Sequence, residues 1–122
     1  MIHPGRLWIG AALVALASCG DDGTRSASTG GDPETGRAAI ARYGCASCHT
    51  IPGVWRADAL VGPSLERIAS RTYIAGVAVN TPENMIRWLL NPQGVDPLTA
   101  MPNLHLSEAD ARDIADYLAT LR

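Results

Sequence analysis

Cys45-Ala46-Ser47-Cys48-His49 is the stretch of this 122-residue sequence that decides how the chain folds. Two cysteines three positions apart near the end of a helix lie on one face. Both thiols can therefore bond to one side of a porphyrin while the adjacent histidine reaches the iron. C-x-x-C-H is the attachment signature of a c-type haem. The pentapeptide predicts one covalent haem with His49 as an iron ligand.

Two other kinds of site could use the same residues. A thiol-disulfide redox centre needs only C-x-x-C, usually at the start of a helix that follows a strand, and no strand pattern precedes Cys45. A structural zinc site needs four ligands, for which His105 or an acidic side chain would have to join the pentapeptide. Both alternatives stay open, but the haem accounts for all three residues at once.

The composition indicates one small domain with few large aromatic side chains to fill its core. The chain has room for a single domain and contains three Trp, three Tyr and no Phe. Domains of this size often depend on a metal, a disulfide or a comparable staple, and a flat apolar cofactor would supply the missing bulk. The formal net charge is −2, and no basic patch with interleaved aromatics predicts a nucleic-acid partner.

The first 31 residues are predicted to export and tether the chain. Residues 1–18 contain an apolar run of about 11 residues, which is typical of an export signal and too short for a membrane span of roughly 20. The sequence LASCG at residues 16–20 resembles the lipobox of bacterial lipoproteins, in which the cysteine becomes the lipidated first residue. Residues 19–31 are thus predicted to be a lipidated Cys19 and a flexible linker. We expect an exported, membrane-anchored lipoprotein on the periplasmic side.

Residues 32–122 are predicted to form an all-α domain with three main helices and one short helical turn. A capping side chain precedes each main helix, and proline follows two of these caps at the first helical position. No strand pattern persists, and the long loops that remain are unusual unless a cofactor organises them. The predicted helices run from Asp32 to about Tyr43, from Thr81 to Asn91 and from Ser107 to the C-terminal end, with the turn over residues 64–69.

Gly36 is a poor helix former within the first helix, costing about 1 kcal/mol relative to Ala. A close approach of another helix would explain it. We expect the last helix to cross Gly36 and Ile40 with its apolar stripe. That stripe comprises Ala111, Ile114, Tyr117, Leu118 and Leu121.

A low-spin electron-transfer haem needs a second axial ligand, and thioether sulfur is a common choice. The candidates are Met85, Met101 and His105. Met85 belongs to the apolar stripe of a predicted helix, where a core role explains it. Met101 lies in the proline-bounded loop at residues 97–102, where no periodicity requires an apolar side chain. The sequence therefore favours Met101.

The motifs beyond the pentapeptide resemble those of class I cytochrome c, in the family's order, and the resemblance covers residues 32–122. Together they are far more specific than the haem signature alone. They are Gly62-Pro63-Ser64-Leu65, Arg71, Asn91-Pro92, Met101, Ile114 and Tyr117.

The resemblance implies a class I cytochrome c fold wrapped around one covalent haem c. Cys45 and Cys48 would carry the thioether links, and His49 and Met101 would bind the iron. The carbonyl of Pro63 would accept the other ring N-H of His49, which fixes the tautomer and basicity of the imidazole.

The resemblance also implies contacts at the edge of the haem. Arg71 and Thr99 would meet a haem propionate, and Trp88 would pack near the sulfur of Met101. For Arg71 a solvated charge, and for Trp88 an ordinary core aromatic, remain alternatives. The walls of the haem pocket would include Leu65, Ile68 and Leu89.

The predicted function is one-electron transfer in a bacterial respiratory chain. An iron with two protein ligands has no open position for substrate, and a thioether ligand raises its reduction potential. The stretch at residues 72–84 is similar to bacterial cytochromes associated with terminal oxidases, so a terminal oxidase or other membrane complex is the expected redox partner. A haem enzyme using His105 above a vacant iron position, and a redox-inert assembly or sensor module, are the other classes considered.

Overall fold

The structure, a computed structural model, describes residues 28–122. The predicted export signal, Cys19 and the linker as far as residue 27 lie outside the described residues. Within residues 28–122 no helix is long and apolar enough to cross a membrane. This part of the chain contains helices α1 (Pro33–Arg42), α2 (Pro82–Leu90), α3 (Pro92–Val95) and α4 (Glu108–Leu118), 3₁₀ turns at Cys45–Ser47 and Ile68–Ser70, and strands β1 (Tyr73–Ile74) and β2 (Ala78–Val79).

Three of these helices begin where the capping side chains predict. The carboxylate of Asp32 accepts from the backbone N-H of Thr35 at 2.6 Å, and Ser107 Oγ accepts from the N-H of Asp110 at 3.1 Å. Thr81 caps α2 in the same way. Each cap satisfies an N-H that has no partner inside its helix. The predicted all-α class is confirmed in that the described residues are mostly helical, and the three main helices are present.

The fourth helix and the small sheet were not expected from the sequence. Asn91 ends α2 and also begins α3, since its Oδ1 accepts from the N-H of Gly94 at 3.1 Å. Strands β1 and β2 pair antiparallel as a hairpin, and its turn contains Gly76 at φ 75°. The helical turn predicted for residues 64–69 lies slightly later, at Ile68–Ser70.

Helices α1 and α4 cross at close range, and both contribute buried residues to the core. A side-chain carbon at Gly36 would collide with the backbone of Asp113 and Ile114, so the glycine allows this approach, as predicted. Ile40, one turn later, is 1% exposed. The core also includes Ile51, Ile68, Ile74, Met85, Trp88, Leu89, Leu106, Ile114, Tyr117 and Leu118.

The chain immediately before α1 packs on α4. Asp116 is 5% exposed, and its carboxylate accepts from the N-H groups of Thr29 at 2.7 Å and Gly31 at 2.9 Å. The hydroxyl of Ser28 donates to the same carboxylate at 3.1 Å. Three of the last four residues of the predicted linker, Ser28, Thr29 and Gly31, are therefore bonded to the domain.

Candidate functional site

The pentapeptide forms a compact turn directly after α1. Gly44 has a left-handed backbone conformation (φ 75°) that prevents α1 from continuing, and a 3₁₀ turn follows. The N-H groups of Cys48 and His49 both donate to the carbonyl of Cys45, at 3.1 and 3.0 Å. Both thiols are free and half-buried. The turn thus presents two unpaired thiols and an imidazole from one short piece of backbone.

The chemistry of these thiols does not match a thiol-disulfide centre. Burial raises the pKa of Cys45, and the nearby Cys48 raises it further, whereas the reactive thiol of such centres has a lowered pKa. The pair also follows a helix instead of a strand. For zinc, no group of three or more His, Cys, Asp or Glu side chains in residues 28–122 could hold a metal ion. Neither alternative gains support from this part of the chain.

His49 is held in a fixed orientation by the loop that follows it. Its Nδ1 lies 2.7 Å from the carbonyl oxygen of Pro63. A neutral imidazole that donates through Nδ1 keeps Nε2 as its acceptor and metal-binding atom. The ring packs closely against Gly62, where an added Cβ would approach Cε1 of His49 to 2.5 Å. The N-H of Gly62 donates in turn to the carbonyl of Cys48 at 2.6 Å.

Arg71 and Leu65 belong to the same loop as Pro63. The guanidinium of Arg71 donates to the carbonyls of Ser64 at 2.5 Å and Glu66 at 3.2 Å, and its side chain is exposed. Leu65 is half-buried against the core. Arg71 therefore braces the backbone beside Pro63, and its expected contact with a propionate stays a prediction.

Met101 and Thr99 lie in the loop between α3 and α4. The N-H of Met101 donates to Thr99 Oγ1 at 3.2 Å, and Gln93 Nε2 donates to the carbonyl of Met101 at 2.7 Å. Met101 is half-buried and packs against the core. Side chains thus hold both backbone polar groups of the residue predicted as the second iron ligand.

Trp88 lies in the core, on α2, with 8% of its surface exposed. This burial fits both an ordinary core aromatic and a wall of a haem pocket. The predicted contact between Trp88 and the sulfur of Met101 therefore stays a prediction, as do the propionate contacts of Arg71 and Thr99.

The residues of this region fit a covalent haem. Two free thiols stand three positions apart, the imidazole keeps one nitrogen for iron, and Gly62 leaves room for the imidazole ring that any Cβ would fill. Several apolar side chains around these groups remain only partly buried by protein, so a flat apolar group can still cover them. The partly buried apolar side chains that pack on the core include Leu65, Ile86, Leu90, Met101 and Leu104.

Sequence reasoning missed Gln93 and treated its surroundings as an irregular loop. From the sequence, Asn91-Pro92 was expected to end the second helix and to be one of the family motifs. Asparagine is also a preferred helix cap and proline a preferred first helical residue. That pair could have predicted α3 and placed Gln93 beside the Met101 loop.

Comparison with known proteins extends the match well beyond the pentapeptide. The family model described as "Cytochrome c" matches residues 33–122. Cytochrome c oxidase subunit 2 of Alkalihalophilus pseudofirmus is 31% identical over 88 residues, which cover 71% of this chain and 25% of that protein. Cytochrome c oxidase subunit 2 of Bacillus subtilis strain 168 is 33% identical over 82 residues, which cover 64% of this chain and 23% of that protein. The chain spans about a quarter of the length of these curated relatives.

Proposed function

The chain belongs to the cytochrome c family, and we propose that it is a one-electron carrier whose haem iron is bound by His49 and Met101. Membership of this family implies haem-based electron transfer. The observation that carries the finer proposal is the His49 ring, fixed between Gly62 and the carbonyl of Pro63 beside two free thiols.

The iron ligands, the carbonyl of Pro63 and the two cysteines each have a different role in this proposed electron transfer. When bound, the haem supplies an iron that gains and loses one electron. The carbonyl of Pro63 accepts the Nδ1 proton of His49 and makes the imidazole a stronger donor ligand. The stronger imidazole donor lowers the reduction potential of the iron, whereas a thioether ligand such as Met101 raises it. Thioether bonds to Cys45 and Cys48 keep the cofactor attached through repeated encounters.

The surface near these residues supports electron exchange with a docked protein. Within residues 28–122 the most exposed large apolar side chains are Trp55, Leu60, Val61 and Leu98, at 83%, 87%, 82% and 93%. The first three lie between His49 and Gly62, and Leu98 lies just before Met101. The segments at residues 59–65 and 97–104 contain no charged residue. A partner that docks on these two segments would thus meet the exposed side chains of Leu60, Val61 and Leu98 and no charge.

The proposed partner is a respiratory terminal oxidase. All three curated relatives found are cytochrome c oxidase subunit 2 proteins. The same observation favours a second candidate function, in which the domain is a built-in part of an oxidase and therefore a component of an enzyme. Purification in mild detergent separates them: a carrier is extracted from the membrane and elutes without oxidase subunits, whereas a component copurifies with them.

We also propose that Cys19 is lipidated and tethers the domain on the periplasmic side of a membrane. The lipobox-like sequence at residues 16–20 supports this, together with a third cysteine that the haem does not use. Cys19→Ser should move the protein from the membrane to the soluble fraction. Retention of that variant at the membrane would exclude the lipid anchor.

The iron ligands are tested on the holoprotein produced in a host that attaches c-type haem. Thioether ligation gives ferric cytochromes of this family a weak absorbance band at the red end of the visible spectrum. Met101→Ala should abolish the band, whereas Met85→Leu, a volume-conserving change in the core, should retain it. An unchanged band in Met101→Ala would disprove the second ligand, and rapid peroxide turnover by the intact protein would favour a haem enzyme.

A further inference from the structure

Gln93 reaches from α3 to the loop that carries Met101. Its Nε2 donates to the carbonyl oxygen of Met101 at 2.7 Å. Residue 93 is exposed, so the core does not require a glutamine there. The side chain spans eight positions of sequence to reach this one carbonyl.

Hydrogen bonds within α3 and just after it fix the backbone around Gln93, whose side chain contacts the carbonyl of Met101. Asn91 caps it through a bond to the N-H of Gly94 at 3.1 Å, and a Cβ on Gly94 would collide with the side chain of Asn91. After α3, Asp96 accepts from the N-H of Leu98 at 3.0 Å. The carbonyl of Asp96 accepts from the N-H of Thr99 at 3.1 Å.

Four of the five backbone N-H groups in residues 96–101 are therefore hydrogen-bonded. Thr99 Oγ1 holds the N-H of Met101, and Gln93 holds its carbonyl. A thioether is a weak ligand whose bond to iron depends on whether its chain is already in place, because ordering a mobile loop costs conformational entropy.

We propose that Gln93 is a positioning residue that fixes the Met101 peptide and so strengthens the bond between the Met101 sulfur and the iron. Gln93 acts through Met101 and does not touch the iron. The proposal rests on the axial ligation proposed above. It predicts that loss of the donor at residue 93 makes Met101 easier to displace by an external ligand.

The experiment is a titration of the ferric holoprotein with imidazole, a neutral ligand that competes with Met101. Gln93→Glu keeps the size of the side chain but replaces its N-H donor with an acceptor-only carboxylate, and Gln93→Ala removes the side chain. Both should bind imidazole roughly two- to tenfold more tightly than the parent protein, the range expected for one net hydrogen bond. Gln93→Lys restores a donor and should return the affinity to within about twofold of the parent.

The matched control is Asn84→Ala. Asn84 Nδ2 donates to the carbonyl of Val79 at 2.9 Å, so this variant removes the same kind of amide-to-carbonyl bond far from Met101 in sequence. Its imidazole affinity should equal that of the parent. Hydrogen exchange adds a second readout: the amide of Met101 should exchange faster in Gln93→Glu and unchanged in Asn84→Ala.

Three results would overturn the proposal. The first is equal imidazole affinity in Gln93→Glu and the parent. The second is an increase in imidazole affinity in Asn84→Ala as large as that in Gln93→Glu, and the third is an increase in Gln93→Lys as large as that in Gln93→Glu. Each requires that the parent ferric protein shows the thioether band. Absence of that band in the parent would instead overturn the axial ligation on which the proposal rests.

Discussion

The Cα of Gly36 lies directly against the backbone carbonyl of Asp113, at the point where α1 crosses α4. Backbone atoms of a helix cannot move aside as the end of a flexible side chain can. The crossing distance of the two helices is therefore set by the hydrogen atom that Gly36 has in place of a side chain. Because α1 leads directly into the pentapeptide at residues 45–49, this crossing also places the two cysteines relative to α4.

Gly36→Ala should destabilise the protein despite the better helix propensity of alanine. Alanine gains about 1 kcal/mol of propensity, but overpacking a close contact costs about 1–3 kcal/mol, and here the contacted atoms are backbone. We expect a net loss of up to about 2 kcal/mol in the free energy of unfolding, measured by denaturant titration of the holoprotein. Ala38→Ser, on the exposed side of α1, should change it by less than about 0.5 kcal/mol. A more stable Gly36→Ala would contradict the crossing geometry.

Parts of the fold that follow local rules were predictable from the sequence. Asp32, Thr81 and Ser107 each mark a helix start because a short polar side chain can bond to an N-H two or three residues later within the same segment. Gly36 pointed to a helix crossing because a glycine inside an otherwise regular helix needs a packing reason. These features depend on residues close in sequence.

The features that were missed depend on very short elements or on distant partners. Each strand of the hairpin has two residues, which is too short for an alternating pattern to show. Asp116 reads in sequence as an ordinary charged residue of a helix, and only the tertiary structure shows it bonded to Thr29 and Gly31. Gln93 was missed for the same reason, since its partner lies eight positions away.

Asp110 should make the stability of the protein depend on pH in acid. Tyr43 Oη and Ser107 Oγ donate to its carboxylate at 2.7 and 2.8 Å, and together with Arg42 they lower the pKa of Asp110. A carboxyl group whose pKa falls on folding favours the native state above its unfolded pKa of about 4. That contribution is lost as the pH falls through the lower folded pKa.

Asp110→Asn tests this dependence in denaturant titrations at several pH values. The variant should have a lower free energy of unfolding than the parent at pH 7, and the difference should shrink as the pH falls below about 4. Glu108→Gln, which removes a charge from the same first turn of α4, is the control and should show a smaller change at pH 7. A difference between Asp110→Asn and the parent that stays constant from pH 7 to pH 2 would contradict this account.

Gly62→Ala should disturb the orientation of His49 more than it disturbs the fold. The added Cβ would come within 2.5 Å of Cε1 and 2.8 Å of Nδ1, so the ring must tilt and its bond to Pro63 must weaken. We expect a changed visible spectrum and a shifted reduction potential in the attached haem, measured by potentiometric titration. Ala59→Ser, in the same loop and half-buried, should leave both unchanged. A parent-like potential in Gly62→Ala would show that the ring does not rest on this glycine.

Asp116→Ala should release the segment before α1 from the domain. The variant removes the acceptor of the Thr29 and Gly31 N-H groups and of the Ser28 hydroxyl. The amides of Thr29 and Gly31 should then exchange at least about tenfold faster, and the protein should lose about 1–3 kcal/mol in its free energy of unfolding. Ser28→Ala, which removes only the hydroxyl donor, should have a smaller effect on both measurements.

The release of residues 28–31 would also lengthen the tether between the domain and the chain that precedes it. Four extended residues add roughly 13 Å to the reach of a tether, whereas in the bonded state the chain leaves the domain from the surface of α4. A tethered carrier with Asp116→Ala should therefore meet its membrane partner with an altered electron-transfer rate and an unchanged reduction potential, measured on the membrane-bound protein. An amide at Gly31 that exchanges equally fast in the parent and in Asp116→Ala would show that this attachment does not persist in solution.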